Sequence, residues 1–188
     1  MRILLPSEFR HGMVLALDGA PHLIEDSHMT GTAQSKHKLH TRLRNLQTGR
    51  HVERAFADNE RVPAPDMEHR AAQFSYAQGG QYLFLDSETY DERVLSSEQI
   101  GDRHVFLREN EEYQALLLDG KLLDIQLPEH VGMKVVETAA PQRAAQQSTQ
   151  KPAKLEGGLE VMVPLFIAPG DVIRVDTRTR KYAGKETA

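Results

Sequence analysis

The chain has 188 residues, 39% hydrophobic and 27% charged, with a formal net charge of −4; such a length suits two or three small domains and such a balance a soluble globular protein. It contains no cysteine, which excludes disulfides, thiolate nucleophiles, iron–sulfur clusters and cysteine-ligated zinc. No run approaches the ~18 apolar residues of a membrane span, and the opening MRILLPSEFR lacks the apolar core of a secretory signal, so a cytoplasmic protein is expected.

In chain order, Met13, Val14, Leu15, Ala16 and Leu17 run into Asp18-Gly19 and out through Pro21 to Glu25. That is a hairpin, because Asp-Gly supplies the positive φ angles of a tight turn. Residues 28–54 then carry Lys36, Lys38, Arg42, Arg44, Arg50 and Arg54 against one acid, Glu53, a local +5 that leaves −9 for the remainder. Within them residues 38–46 alternate charged and apolar, so a period of two puts Lys38, His40, Arg42 and Arg44 on one face of a strand. Thr48-Gly49 turns it and residues 51–56 return; residues 59–65 read as a linker, with a hinge at Pro63-Ala64-Pro65.

A second unit opens near Met67. Two apolar runs flank Gln78-Gly79-Gly80, another hairpin. Ser96 to Ile100 reads as a helical turn capped by serine. A third hairpin turns at Asp119-Gly120, and Pro128 ends the unit. Nine acids fall between residues 86 and 113 against Arg93, Arg103 and Arg108, so a basic first third is joined to an acidic middle. From His130 a third unit follows. It has a strand over residues 131–138, a polar irregular loop over 139–150, and two strands joined by Ala168-Pro169-Gly170. Helix is minor, and three β units of roughly 60 residues suit small barrels. The expected boundaries are residues 1–65, 66–128 and 129–188.

Several side chains are candidates for binding. Lys38, Arg42 and Arg44 on one strand face can meet successive phosphates, about 6–7 Å apart along a two-residue repeat; the alternative is an edge charged against aggregation. Arg178, Arg180 and Lys181 with Tyr182 form a basic cluster with an aromatic able to stack on RNA; the alternative is a solvated tail. His37 and His40 have metal-ligand spacing but no third ligand in reach, which favours phosphate contact over a metal. No Ser/His/Asp set, carboxylate pair or P-loop is present, so no enzyme site is expected.

The order of segments resembles the translation elongation factor P family. The resemblance is carried by Leu43-Arg44-Asn45-Leu46-Gln47-Thr48-Gly49-Arg50; by Phe74-Ser75-Tyr76 through Asp86-Ser87-Glu88-Thr89-Tyr90; and by Lys151-Pro152-Ala153, Val161 to Phe166, Gly170 and Val175-Asp176-Thr177-Arg178. It covers nearly the whole chain. It implies an all-β protein of three small barrels, a KOW/SH3-like domain followed by two OB-folds, in an L-shaped arrangement that mimics tRNA.

The same resemblance implies a monomeric factor with no cofactor and no metal. Such a factor binds the ribosome between the P and E sites, near rRNA and E-site ribosomal proteins, and helps stalled, proline-rich peptides form bonds. A loop of the first domain is expected to reach toward the acceptor end of the P-site peptidyl-tRNA. Gap-free counting places its tip on Gln34, flanked by Ala33 and Ser35, with Lys36 close by. The family usually has lysine or arginine at the tip, so glutamine is a departure: it lacks the amine that modification needs, and its amide can still donate to a phosphate or ribose hydroxyl. The third domain's codon-proximal loop maps onto Arg143, Ala144 and Ala145. Arg50, Arg143 and Arg178 join Lys38, Arg42, Arg44, Arg180, Lys181 and Tyr182 as candidate RNA contacts. A general RNA-binding OB-fold protein is the alternative, weakened by an aromatic fraction of 6%. A small β-barrel enzyme or scaffold is a third reading, disfavoured by the missing catalytic set.

Overall fold

A computed structural model describes residues 1–31, 37–141 and 149–186. The chain divides into two compact units, residues 1–101 with 109–126, and residues 102–108 with 127–188. Strands dominate, and every strand pair is antiparallel.

In the first unit a four-stranded sheet joins β2 (Val14–Leu17), β3 (Ala20–Thr30), β4 (Lys38–Asn45) and β5 (His51–Ala57) in that order. The expected linker at residues 59–65 instead contains a strand, β6 (Val62–Ala64), which pairs with β1 (Arg2–Leu4). The reason is burial: Val62, Ala64 and Leu4 face inward and join Phe9, Leu15, Ile24, Leu43 and Phe56 in one core. The proline between them, Pro63, is tolerated because this ribbon has only two strands, both of them edges.

The same unit holds a five-stranded sheet in the order β11-β10-β7-β8-β9, built from β7 (Glu68–Gln78), β8 (Gln81–Asp86), β9 (Glu92–Ser96), β10 (Glu112–Leu118) and β11 (Lys121–Gln126). Its core includes Phe74, Phe84 and Tyr113 in ring contact. All three expected hairpins form, each with two positive φ angles at its centre: Asp18 and Gly19, Gly79 and Gly80, Asp119 and Gly120. The helical turn α1 (Ser97–Ile100) is capped reciprocally. Ser96 Oγ accepts from the Gln99 amide and Gln99 Oε1 from the Ser96 amide.

In the second unit the order is β14-β13-β12-β15-β16, from β12 (His130–Thr138), β13 (Gln150–Leu155), β14 (Glu160–Pro164), β15 (Val172–Asp176) and β16 (Tyr182–Lys185). Its core of Met133, Val135, Leu155, Val163, Ile167, Ile173 and Val175 also contains Phe106, from the short helical segment that follows α1.

One turn occurs three times. Asn45, Asp86 and Asp176 each accept, through one side-chain oxygen, the amides two and three residues on: Gln47 and Thr48, Glu88 and Thr89, Arg178 and Thr179. Their carbonyls accept from the amide four residues on, at Gly49, Tyr90 and Arg180. Those residues have φ of 74°, 60° and 59°. Asparagine and aspartate open such turns because a short side-chain acceptor can mimic the backbone. Tyr90 and Arg180 show that the backbone angle alone does not demand glycine. Gly49 has another reason: a Cβ there would lie 1.9 Å from the Glu98 carbonyl oxygen.

Candidate nucleic-acid interface

Strand β4 carries the basic row. Its first half alternates as the sequence predicts: Lys38 and Arg42 are exposed, His40 is half-buried, and Leu39, Thr41 and Leu43 are buried. β3 is eleven residues long and pairs with β4 as far as Thr30 and Lys38. Near that end His28 and His40 are cross-strand partners whose rings stack with centroids 5.4 Å apart. Arg42 Nε lies 3.7 Å from Glu25 Oε2, with its side chain 58% exposed. Such a pair is weak and leaves most of the guanidinium open to an anion.

Arg44 is a correction to the sequence reading. It keeps the parity of the row, yet it is only 6% exposed, because β11 covers that end of the face. Its Nε donates to Glu25 Oε1 at 2.8 Å and its Nη2 to Asp124 Oδ2 at 2.7 Å. Burial alone would lower its pKa, but the Asp124 and Glu25 carboxylates outweigh that and hold it above the ordinary value. A guanidinium held in this way has no face to offer a phosphate. Asp124 and Glu25 were not singled out by sequence. The signal for Asp124 was a lone acid inside the apolar run of residues 122–127.

Further along, Arg50 is exposed on the turn after β4. In the second unit Arg178 and Lys181 are exposed. Arg180 is a second correction: its Nη2 lies 2.6 Å from Asp102 Oδ1 and its guanidinium 5.8 Å from the Phe106 ring centroid. It pairs within the second unit with residues 102–108, so its guanidinium is partly engaged. Tyr182 is half-buried and packs against that unit's core, so its ring is not free to stack on a base. Ala33, Gln34, Ser35, Lys36 and Arg143 lie outside the described residues. Among the described residues no group of three or more His, Asp or Glu is placed to hold a metal, and no helix is long and apolar enough to cross a membrane.

The acid turns are electrostatically settled. Asp86 is pulled down to about 2, first by the Thr89 amide, then by that of Glu88, with Arg70 and Arg93 assisting against burial. Asp176 is lowered in the same way, first by the Thr179 amide.

Small, strongly curled antiparallel sheets in series, with exposed cations on β4 and on the turn before β16, define a class of all-β proteins built from small barrel-like domains. Three family models match in order: the elongation factor P KOW-like domain over residues 6–62, the elongation factor P OB domain over residues 67–125, and the elongation factor P C-terminal domain over residues 131–185. Elongation factor P of Synechococcus sp. (strain JA-3-3Ab) is 39% identical over 181 residues, 96% of this chain and 98% of the relative. That of Nitratidesulfovibrio vulgaris (strain DP4) is 36% identical over 181 residues, with 96% and 98% covered. The chain belongs to the elongation factor P family. Among solved structures, eukaryotic translation initiation factor 5A from Methanococcus jannaschii shares the fold, with a TM-score of 0.50 at 17% identity over 66% of this chain and 92% of that one.

Proposed function

We propose that the chain acts on the ribosome between the P and E sites, contacts the P-site peptidyl-tRNA, and promotes peptide-bond formation on stalled, proline-rich sequences. The observation that carries this reading is the paired β3 and β4 of a family member, with Lys38 and Arg42 exposed along β4. Lys38 and Arg42 lie on one face four residues apart, about 13 Å along the strand, which spans two phosphate steps of a nucleic-acid backbone. The tip, Ala33 to Lys36 with Gln34 at its centre, is the part directed toward the acceptor end. The factor supplies no chemistry of its own. It acts by aligning reactants the ribosome already holds, which lowers the entropic part of the barrier. Lys38, Arg42, Arg50, Arg178 and Lys181 make the backbone contacts; Arg44 does not. The protein works as a cytoplasmic monomer.

The test is proline-run synthesis in a reconstituted translation system, with the unmodified protein and its Gln34→Ala and Gln34→Lys variants. Rescue by the unmodified protein and its loss in Gln34→Ala is the expected result. Ribosome co-sedimentation that survives Lys38→Glu with Arg42→Glu at physiological salt would remove the basic row from the interface.

A further inference from the structure

The outer face of the β7–β8–β9 sheet carries an apolar stripe that the proposed ribosomal role does not use. Phe74 and Phe84 are cross-strand partners on the core side. At ordinary strand period Tyr76 would follow Phe74 inward. The register shifts between Phe74 and Tyr76, and this bulge re-aims Tyr76 to the opposite face. There it lies across from Leu83, and Leu83 across from Val94. Tyr76 is 47% exposed and Val94 43%; Leu83 and its neighbour on the same face, Leu85, are half-buried. The stripe crosses three strands, about 10 Å at ordinary strand spacing. An exposed apolar row of that extent, containing an aromatic, marks a contact surface.

Its charge surroundings select the partner. Leu85 pairs with Glu92 on this face. Beside Val94, Glu92 and Asp119 share an open cleft of about 360 Å³ with Lys121 and with Arg93, whose guanidinium is taken up by the Gly120 carbonyl and Asp86. Residues 67–126 hold twelve Asp and Glu against five Lys and Arg. An OB sheet that reads nucleic acid pairs its aromatics with cations. Here Glu92 is the charged cross-strand partner in the stripe, within residues of net charge −7, a balance that repels phosphates and favours a cationic partner. We infer that the Tyr76–Leu83–Val94 stripe, with Glu92 beside it in an acidic part of the chain, is a docking surface for a lysine- or arginine-rich polypeptide segment bearing apolar side chains. The inference does not depend on the ribosomal reading, and it assigns the first unit two faces of opposite preference.

The test is a titration of the full-length ¹⁵N-labelled protein with three probes: a short synthetic peptide of lysine, leucine and tyrosine, its counterpart with glutamate for lysine, and a uridine decamer. The expected result is saturable shifts at Tyr76, Leu83, Leu85 and Val94 with the basic peptide alone. Tyr76→Ser and Val94→Gln, both at exposed positions, should weaken binding roughly fivefold or more while the rest of the spectrum is kept. Shifts at these amides with the uridine decamer overturn the inference in favour of a nucleic-acid face. Non-saturating shifts spread over all acidic segments, unaltered by the two substitutions, overturn it as mere charge attraction. No shifts with any probe overturn it outright.

Discussion

Replacing Gly49 with alanine separates two effects that glycine usually confounds. The first is backbone strain. Gly49 has φ of 74°, and a Cβ in that region costs roughly 1 kcal/mol. The second is collision. The new Cβ would meet the Glu98 carbonyl oxygen at 1.9 Å, so the turn after β4 must retreat by more than an ångström from the start of α1. That retreat stretches the bond from Gln99 Nε2 to the Leu46 carbonyl, now 3.0 Å, worth about 1 kcal/mol. It also loosens the small cluster of Val14, Leu46, Leu116 and Leu123 that joins the first sheet to the second. The expected cost of Gly49→Ala is therefore about 3 kcal/mol, or roughly 10 °C in Tm for a chain of this size. Gly19→Ala is the control: φ is 78° and nothing lies within 4 Å of its Cβ, so only the strain of about 1 kcal/mol is expected. Urea melts of both variants, with hydrogen exchange at Leu46 and Gln99, decide the matter. Equal destabilisation by the two substitutions would refute the close-approach argument.

Other outcomes follow from the same geometry. Arg44→Ala removes the guanidinium held between Glu25 and buried Asp124 and should cost about 3–5 kcal/mol in a denaturant melt, whereas Arg44→Met with Asp124→Leu should recover most of it. Asp86 is depressed to about 2 in the fold, so its contribution is complete above its unfolded value of about 4 and is lost as pH falls from there toward 2. Acid melts of Asp86→Asn should accordingly show a shallower loss over that window than the wild type. Phe106→Ala empties a site in the core of the second unit and should cost about 3–5 kcal/mol, with exchange protection lost first at Met133, Val135 and Ile173.

Much of the fold was readable because turn chemistry is local. Asp18-Gly19, Gly79-Gly80 and Asp119-Gly120 announce their hairpins, and Ser96 with Gln99 announces a cap. The basic row was readable only as far as Arg42. Period two fixes which face Arg44 takes, but not what covers that face; Asp124 comes from eighty residues away, and no local pattern encodes the meeting. Arg180 illustrates the same limit: beside Arg178 and Lys181 it reads as one more cation, and only the tertiary structure gives it to Asp102. Residues 59–65 misled for a different reason. Proline normally argues against a strand, and the pairing of β6 with β1 depends on burying Leu4, Val62 and Ala64 together. The stripe at Tyr76 was hidden by a bulge, since one extra residue reverses the face that alternation predicts.

Residues 102–108 give the molecule a folding order of its own. They are made with the central strands, yet Phe106 belongs to a core whose other members are Met133 and later residues. As the chain is synthesised, Phe106 is made before any of the buried residues it packs with in the finished fold. The first unit can therefore close around a segment that belongs to the second. A ribosome halted after residue 128 would hold a first unit with all its strands made, and with an aromatic side chain waiting for a partner not yet translated.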